Sequence, residues 1–147
     1  MKADRSAIDA LLMEALVEPS GGAVDYRCAH DHVMVTFATI ERLASGDPTD
    51  SKRGYMSERE VAVWCLVADP AAGNRLAWYL PYVFTDSGQT VVTGREVYGY
   101  PKQIGIFEDD FLAKLETGGD TFVSALAIDP FHPDEPSVVR PMIAVTR

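Results

Sequence analysis

The chain has 147 residues and a mass of 16.1 kDa, which is enough for one domain and too little for two. Apolar residues make up 47% of it and charged residues 24%, which argues against intrinsic disorder. The net charge of -9 argues against binding to nucleic acids or anionic lipids, because both require clustered positive charge. The longest apolar run, residues 61–68, is shorter than the roughly 18 residues that cross a bilayer.

The first residues and the cysteines predict a cytoplasmic protein. Asp4, Asp9 and Glu14 interrupt what would be the apolar region of a secretory signal. Cys28 and Cys65 lie in apolar segments, and we interpret them as reduced, buried and unreactive thiols.

A helix is predicted over residues 6–17 because apolar residues recur there at helical spacing. Ser6 and Asp9 resemble a capping box at its start. The cluster of Pro19, Gly21 and Gly22 ends the helix.

Short strands are predicted for most of the remaining chain. Pro81 makes one of them irregular or places it at a sheet edge, and Pro141 interrupts the last. Turn clusters separate the strands, one of them over residues 130–136, and residues 45–57 form an exposed polar loop. The predicted strands cover residues 33–37, 60–67, 76–84, 90–93, 122–128 and 138–145.

This pattern predicts a mainly β domain of the α+β class. Its strands form an antiparallel sheet, sandwich or barrel, with the N-terminal helix at the periphery. We find no internal repeat, no heptad pattern and no low-complexity tract.

The segment CAHDH, residues 28–32, is a first candidate for chemistry. His30 and His32 point to one face of a strand and can share a metal ion. Cys28 and His32 are about 13 Å apart on a straight strand, so Cys28 cannot join them. A third ligand has to come from elsewhere, and His132 is the remaining histidine. The alternative is a polar strand end, and we predict no metal site.

The glycines do not indicate a nucleotide cofactor. Gly94, Gly99 and Gly105 lack the spacing of a dinucleotide fingerprint or a phosphate-binding loop, and no strand–glycine–helix unit is predicted around them. The G-x-S-x-G nucleophile elbow is also absent. We therefore predict no cofactor.

The segment TGREVYGYPKQIGI, residues 93–106, contains a lysine with apolar residues on both sides of it. Read without other information it is a loop, in which Lys102 is a solvated lysine or a lysine buried by apolar neighbours. Burial in apolar surroundings lowers the pKa of a lysine and leaves a neutral amine that can attack a ketone. The apolar neighbours are Tyr98, Tyr100, Pro101, Ile104 and Ile106.

The stretch GREVYGYPK, residues 94–102, resembles the signature of the acetoacetate decarboxylase family, which is G-R-E, a short spacer and G-[FY]-P-K. The similarity extends over residues 55–107. Within it, SEREVAVWCLV resembles the family strand that carries an acidic active-site residue ahead of the lysine. The resemblance is weak over residues 33–54 and in the tail, and absent in the first helix.

The resemblance implies that Lys102 is the imine-forming lysine and that Glu60 is the acidic residue. Glu58 is the alternative, because it shares a strand face with Glu60. The remaining expected substrate-binding residues come from the motif, where the first two also fit a structural or surface ion pair: Arg95, Glu96, Tyr98 and Tyr100.

Two departures from the family pattern matter. The family has P-K-K, and its second lysine is held to lower the pKa of the first, whereas this chain has Gln103. Only burial, or another cation such as Arg95, is then left to activate Lys102. The chain is also shorter than family members, since only residues 103–147 follow the lysine. The resemblance implies part of a cone-like barrel, so the chain is a shortened member, a fragment, or a chain that completes its barrel by association. An incomplete barrel leaves open strand edges, which predicts a homo-oligomer.

The expected function is therefore imine chemistry on a small keto acid, with decarboxylation of acetoacetate or a related β-keto acid as the first candidate. One alternative is an aldolase-dehydratase that acts on pyruvate-like substrates through the same lysine. The other is a non-catalytic domain that binds a small ligand or assembles with a partner.

Overall fold

A computed structural model describes residues 1–127 and 136–146 of the chain. Strands hold 45% of the described residues and helices 28%, so the mainly β, α+β prediction is confirmed. The helices are α1 (Arg5–Leu12), continued by a π-helical turn (Met13–Val17), α2 (Gly88–Tyr98) and α3 (Phe111–Thr117). Two short 3-10 turns span Asp50–Arg53 and Pro70–Ala72.

The described strands form two mainly antiparallel sheets, and neither closes into a barrel. The first sheet has the order β1-β2-β3-β4 and the second the order β5-β6-β7. The strands are β1 (Arg27–Leu43), β2 (Met56–Asp69), β3 (Arg75–Thr85), β4 (Lys102–Ile104), β5 (Ile106–Phe107), β6 (Thr121–Ala127) and β7 (Val138–Val145).

The chain divides into two compact units, the first of which comprises Met1–Thr36 and Ala62–Tyr82. Its core contains Ile8 and Leu12 from α1, so the predicted N-terminal helix packs by its apolar stripe. The N-cap of α1 is Asp4, not Ser6, because its carboxylate accepts from the Ser6 N–H at 2.8 Å. The rest of the buried core is Cys28, Cys65 and Val67.

The second unit comprises Phe37–Val61 and Val83–Arg147. Phe111 of α3 is buried in it and meets the Phe107 ring edge-on at 5.2 Å. Strand β4 pairs in parallel with the end of β3, with Lys102 opposite Val83. Buried apolar residues of this unit also include Val61, Phe84, Val123 and Ala125.

The predicted strand at residues 90–93 is wrong, because these residues lie in α2. Ser87 caps this helix by accepting from the Thr90 N–H at 3.4 Å. Together β3, α2 and β4 form a strand–helix–strand unit, which the sequence analysis did not expect. The β-branched residues were a weaker signal than the cap and the packing that fix the helix.

The two prolines are accommodated within strands. Pro81 lies inside β3, but β4 pairs only with Val83–Thr85, so much of β3 has a single neighbouring strand. Pro141 lies inside β7, where the pairing with β6 skips Met142 and forms a bulge.

Some predicted strands are longer in the structure, since residues 33–37 lie within β1 and residues 60–67 lie within β2. Helix α3 was not anticipated, and most of residues 45–57 are exposed as predicted. Ile128, His132 and most of the turn cluster at 130–136 lie outside the described residues. No helix in the described part of the chain is both long and apolar enough to span a bilayer.

Candidate functional site

The end of α2 and the start of β4 place Lys102. Gly99 ends the helix in the left-handed conformation with φ 71°, which glycine adopts without strain. The Tyr100 N–H then donates to the Gly94 carbonyl at 2.9 Å, and β4 begins two residues later. The side chain of Lys102 turns inward and is 9% exposed.

The Lys102 ammonium group contacts two carboxylates of β2. Its Nζ lies 2.8 Å and 2.9 Å from the two oxygens of Glu58. It lies 2.9 Å from Oε2 of Glu60. The side chain of Glu58 is 1% exposed and that of Glu60 is 19% exposed, so Glu60 is the more accessible of the two carboxylates. The structure brings together all three residues that the sequence analysis singled out for the chemistry.

Two threonines, which the sequence analysis missed, fix Glu58. The Thr85 hydroxyl donates to Glu58 Oε2 at 2.7 Å. The Thr90 hydroxyl lies 3.2 Å from that of Thr85 and donates to the Ser87 carbonyl at 2.9 Å. Both threonines are fully buried. The signal that could have revealed them is Ser87 three residues before Thr90, an N-cap spacing that brings this helix start onto β3.

The pKa of Lys102 shifts in the direction opposite to the one that burial alone predicts. Burial pulls the pKa of Lys102 down, but hydrogen bonds and charge from Glu58 and Glu60 outweigh it and hold the pKa above 10.5. Burial likewise raises the pKa of Glu58, yet hydrogen bonds from Lys102 and Thr85 bring it below 4.5. Both shifts favour an ammonium ion between carboxylates, and a neutral Lys102 amine stays a prediction.

Helix α2 approaches the lysine closely at Gly94. A Cβ atom at this position would lie 2.7 Å from Lys102 Cδ, closer than side-chain atoms pack. On the next residue, Arg95 Nη1 donates to the Lys102 backbone carbonyl at 3.2 Å. Gly94 of the motif thus lies against the aliphatic part of the Lys102 side chain, and Arg95 contacts the Lys102 backbone.

The predicted apolar setting of Lys102 is wrong. Tyr98 and Tyr100 are 67% and 46% exposed, and their rings stack on each other at 6.2 Å. Ile104 and Ile106 are also exposed, as is Glu96. The amine instead contacts the carboxylates of Glu58 and Glu60, and the aliphatic part of the side chain lies close to Gly94 of α2.

Gln103 follows Lys102 on β4 and is exposed, whereas Lys102 is buried. Successive strand residues point to opposite faces, so a cation at position 103 would point away from the Lys102 amine. The absence of a second lysine therefore removes no direct contact with Nζ.

An open cleft of about 650 Å³ lies beside Glu58 in the second unit. Arg59 and Asp86 on its wall form an ion pair with an N–O distance of 2.7 Å. Lys102 and Glu60 are not among the residues that line it. Its remaining wall includes Glu41, Tyr55, Ser87 and Gln89.

Comparisons with known proteins find no relative for this chain. No family model, no curated protein and no solved structure matches it. Membership of the acetoacetate decarboxylase family stays a prediction that depends on residues 55–107.

Proposed function

We propose that the chain is a Schiff-base lyase that acts on a small keto acid through Lys102. The observation that carries this proposal is a buried lysine amine within 3 Å of two carboxylates, at the lysine of the imine-forming motif. Such a site holds a nucleophile and groups that can accept its proton, which imine formation requires.

Glu60 is the proton acceptor in this proposal. It contacts Nζ through one oxygen and is partly exposed, whereas Glu58 is buried and held by both Lys102 and Thr85. Transfer of one proton from the ammonium group to Glu60 leaves a neutral amine and a carboxylic acid. Glu58 stays ionised and orients the amine.

The neutral amine of Lys102 then adds to the ketone carbon and gives a carbinolamine. Glu60 returns its proton to the departing hydroxyl, so that water leaves and a protonated imine forms. In a β-keto acid, the electron pair of the bond to the carboxylate moves into this imine as carbon dioxide departs. The resulting enamine takes one proton from solvent at carbon, and water hydrolyses the protonated imine to release the ketone and the lysine ammonium group.

The residues expected to contact the substrate are exposed residues of the motif. Arg95 is exposed and carries the positive charge that a substrate carboxylate needs, with one guanidinium nitrogen on the Lys102 carbonyl. Tyr98 and Tyr100 offer stacked, exposed rings. Glu96 is exposed on the same helix and completes the proposed substrate-binding set.

The proposal is tested by trapping the imine. The protein is incubated with acetoacetate, pyruvate or acetopyruvate, reduced with borohydride, and weighed as the intact chain. We expect one adduct, mapped by peptide digestion to Lys102 and absent from Lys102→Arg. Lys114→Arg is the matched control, since Lys114 also lies between two acids, Glu108 and Asp110, but on the surface. No adduct with any of the three compounds would favour the non-catalytic alternative.

The pH dependence of trapping tests the role assigned to the acids. Because the pKa of Lys102 is held above 10.5 by Glu58 and Glu60, the rate of adduct formation should rise with pH through the alkaline range. Glu60→Gln removes one carboxylate, so its rate profile should move to lower pH by about one to three units. An unmoved profile in Glu60→Gln would contradict this assignment.

The second candidate is an aldolase-dehydratase on pyruvate-like substrates. The two carboxylates at one amine favour it, because aldol and dehydration steps need an acid and a base near the imine. Release of carbon dioxide from acetoacetate identifies the decarboxylase. Adduct formation with pyruvate without such release identifies the alternative.

Self-association and compartment complete the proposal. The outer strand β7 exposes Val138, Val139 and Met142, a surface on which a second copy could pack. Light scattering on the eluting protein would give the mass, and a monomer would rule out the homo-oligomer. The unpaired buried thiols of Cys28 and Cys65 support a reducing compartment such as the cytoplasm.

A further inference from the structure

The first unit contains a cluster of metal-ligating side chains that the proposed function does not use. It consists of His30, Asp31 and His32 on β1, and each offers a ligand atom within 4.8 Å of the others. Asp31 Oδ1 lies 2.7 Å from His32 Nδ1 and 3.4 Å from His30 Nδ1. The centroids of the imidazole rings are 4.9 Å apart.

Asp31 is the third member of this cluster, although strand geometry places it on the opposite face from the two histidines. Alternation places His30 and His32 on one face and Asp31 on the other. The Asp31 carboxylate nevertheless turns back and reaches the imidazole of His32. The missing third ligand of the sequence analysis is therefore the residue between the two histidines. Cys28 is buried and its thiol contacts the His30 carbonyl at 3.1 Å, so it takes no part.

The backbone beneath the cluster is already fixed. The Ala3 N–H donates to the Asp31 carbonyl at 2.8 Å, and the Val33 N–H donates to the Met1 carbonyl at 2.9 Å. The side chains themselves are 58%, 44% and 53% exposed for His30, Asp31 and His32. An ion would need only side-chain rotations in solvent, with no strand to order and no core to repack.

We propose that His30, Asp31 and His32 form a binding site for a divalent transition-metal ion such as Zn²⁺. Ligands around a tetrahedral ion with bonds of about 2.0 Å are roughly 3.3 Å apart, which rotation of the exposed rings can reach from the observed spacing. Two imidazoles and one carboxylate suit zinc, copper or nickel rather than magnesium, which prefers oxygen ligands. Three protein ligands leave one position for water or an external donor.

The test is calorimetric titration of the full chain, freed of any affinity tag, with zinc chloride and separately with magnesium chloride. We expect saturable 1:1 binding of Zn²⁺ and none of Mg²⁺. His30→Gln and His32→Gln should each weaken Zn²⁺ binding at least tenfold, and Asp31→Asn should weaken it by about 10–100-fold. Circular dichroism of each variant checks that the fold is kept.

Asp25→Asn is the matched control, because Asp25 is a partly exposed acid of the same unit whose carboxylate pairs with Arg27 and not with the cluster. It should leave the affinity for Zn²⁺ unchanged. The proposal is overturned if Zn²⁺ gives no saturable heat. It is equally overturned if binding persists unchanged in the double variant His30→Gln/His32→Gln, since the ion would then be bound elsewhere.

Discussion

Lys102 shows how charge can be kept in a nearly water-free site. Its ammonium group donates to three carboxylate oxygens, and the Thr85 hydroxyl satisfies Glu58 further. A buried charge with such partners is tolerated, whereas one that loses its partner is strongly destabilising. The group that we propose as the nucleophile is thus also a structural tie between β2 and β4.

The first prediction concerns the loss of this tie. Lys102→Met should destabilise the fold by about 3–5 kcal/mol, because Glu58 would stay buried without a cation. Urea unfolding followed by tryptophan fluorescence measures the loss. The double variant Glu58→Gln/Lys102→Met should recover a large part of it, and Lys114→Met should cause no measurable loss. A single Lys102→Met variant as stable as the native chain would contradict a buried ion pair.

The second prediction concerns pH. The pKa of Glu58 is lowered on folding. Its contribution to the free energy of unfolding is therefore present above pH 4.5 and is lost as the pH falls further. The pKa of Lys102 is raised, so its contribution is present below pH 10.5 and is lost as the pH rises through the folded value.

The measurement is the free energy of unfolding against pH for the native chain and for Glu58→Gln/Lys102→Met. The difference between the two should be flat between about pH 5 and pH 10 and should fall on either side. A difference that stays constant down to pH 3 would show that Glu58 is not the group whose pKa is lowered.

At the scale of elements, helix α2 can approach Lys102 closely because Gly94 has no side chain. Alanine usually stabilises a helix interior by up to about 1 kcal/mol relative to glycine. At Gly94 the added methyl group would meet Lys102 Cδ, whose chain is held in place by its carboxylates. The ordinary helix-propensity rule should therefore reverse at this position.

The third prediction follows from that contact. Gly94→Ala should cost about 1–3 kcal/mol of stability through overpacking and should slow imine trapping at Lys102. Gly88→Ala is the matched control, because it lies in the same helix with open space around it. Thermal unfolding should show a lower midpoint for Gly94→Ala and an unchanged or higher one for Gly88→Ala. Equal effects at the two positions would sink the close-packing argument.

The elements differ in how far their sequence predicts them. The predicted strand at residues 138–145 matches the bounds of β7, even though Pro141 lies within it. Residues 90–93 are β-branched and favour a strand, yet the Ser87 cap and burial against β3 make them helical. Local preference is weak there, and contacts distant in the sequence decide the outcome.

Lys102, Glu58 and Glu60 were predictable from the sequence, whereas the two threonines behind Glu58 and the direction of the pKa shifts were not. The strand spacing of Glu58 and Glu60 correctly implies a shared face, since both reach Lys102. The sequence does not show that both carboxylates meet the amine, because the pairing of β2, β3 and β4 decides it. Without that pairing, burial alone predicts the wrong direction for the pKa of Lys102.

At the scale of the whole molecule, the surplus of acids matters. The net charge is -9 at neutral pH, and the sequence isoelectric point is about 4.7. Repulsion between like charges opposes the compact state, and salt screens it. The buried pair of Lys102 and Glu58 is shielded from this screening. Added salt should therefore weaken the repulsion between surface charges and leave the attraction within the buried pair unchanged.

The fourth prediction is that salt stabilises the chain at pH 7. Raising sodium chloride from 10 to 150 mM shortens the screening length from about 30 Å to about 8 Å, and the thermal midpoint should rise by roughly a few degrees. The same series near pH 4.7, where the net charge vanishes, should give little change. A midpoint that falls with salt at pH 7 would mean that attractive surface pairs dominate.

The separation of Glu58 and Lys102 along the chain, 44 residues, has a consequence for how the molecule is made. A ribosome must finish β2, β3, α2 and β4 before the ammonium can find its acids, so closure of this long segment precedes any gain from the pair. The pair can therefore stabilise the fold only after this segment has closed. A nascent chain halted before β4 lacks Lys102, so Glu58 has no cation to pair with. The candidate site is complete only after β4 has been synthesised.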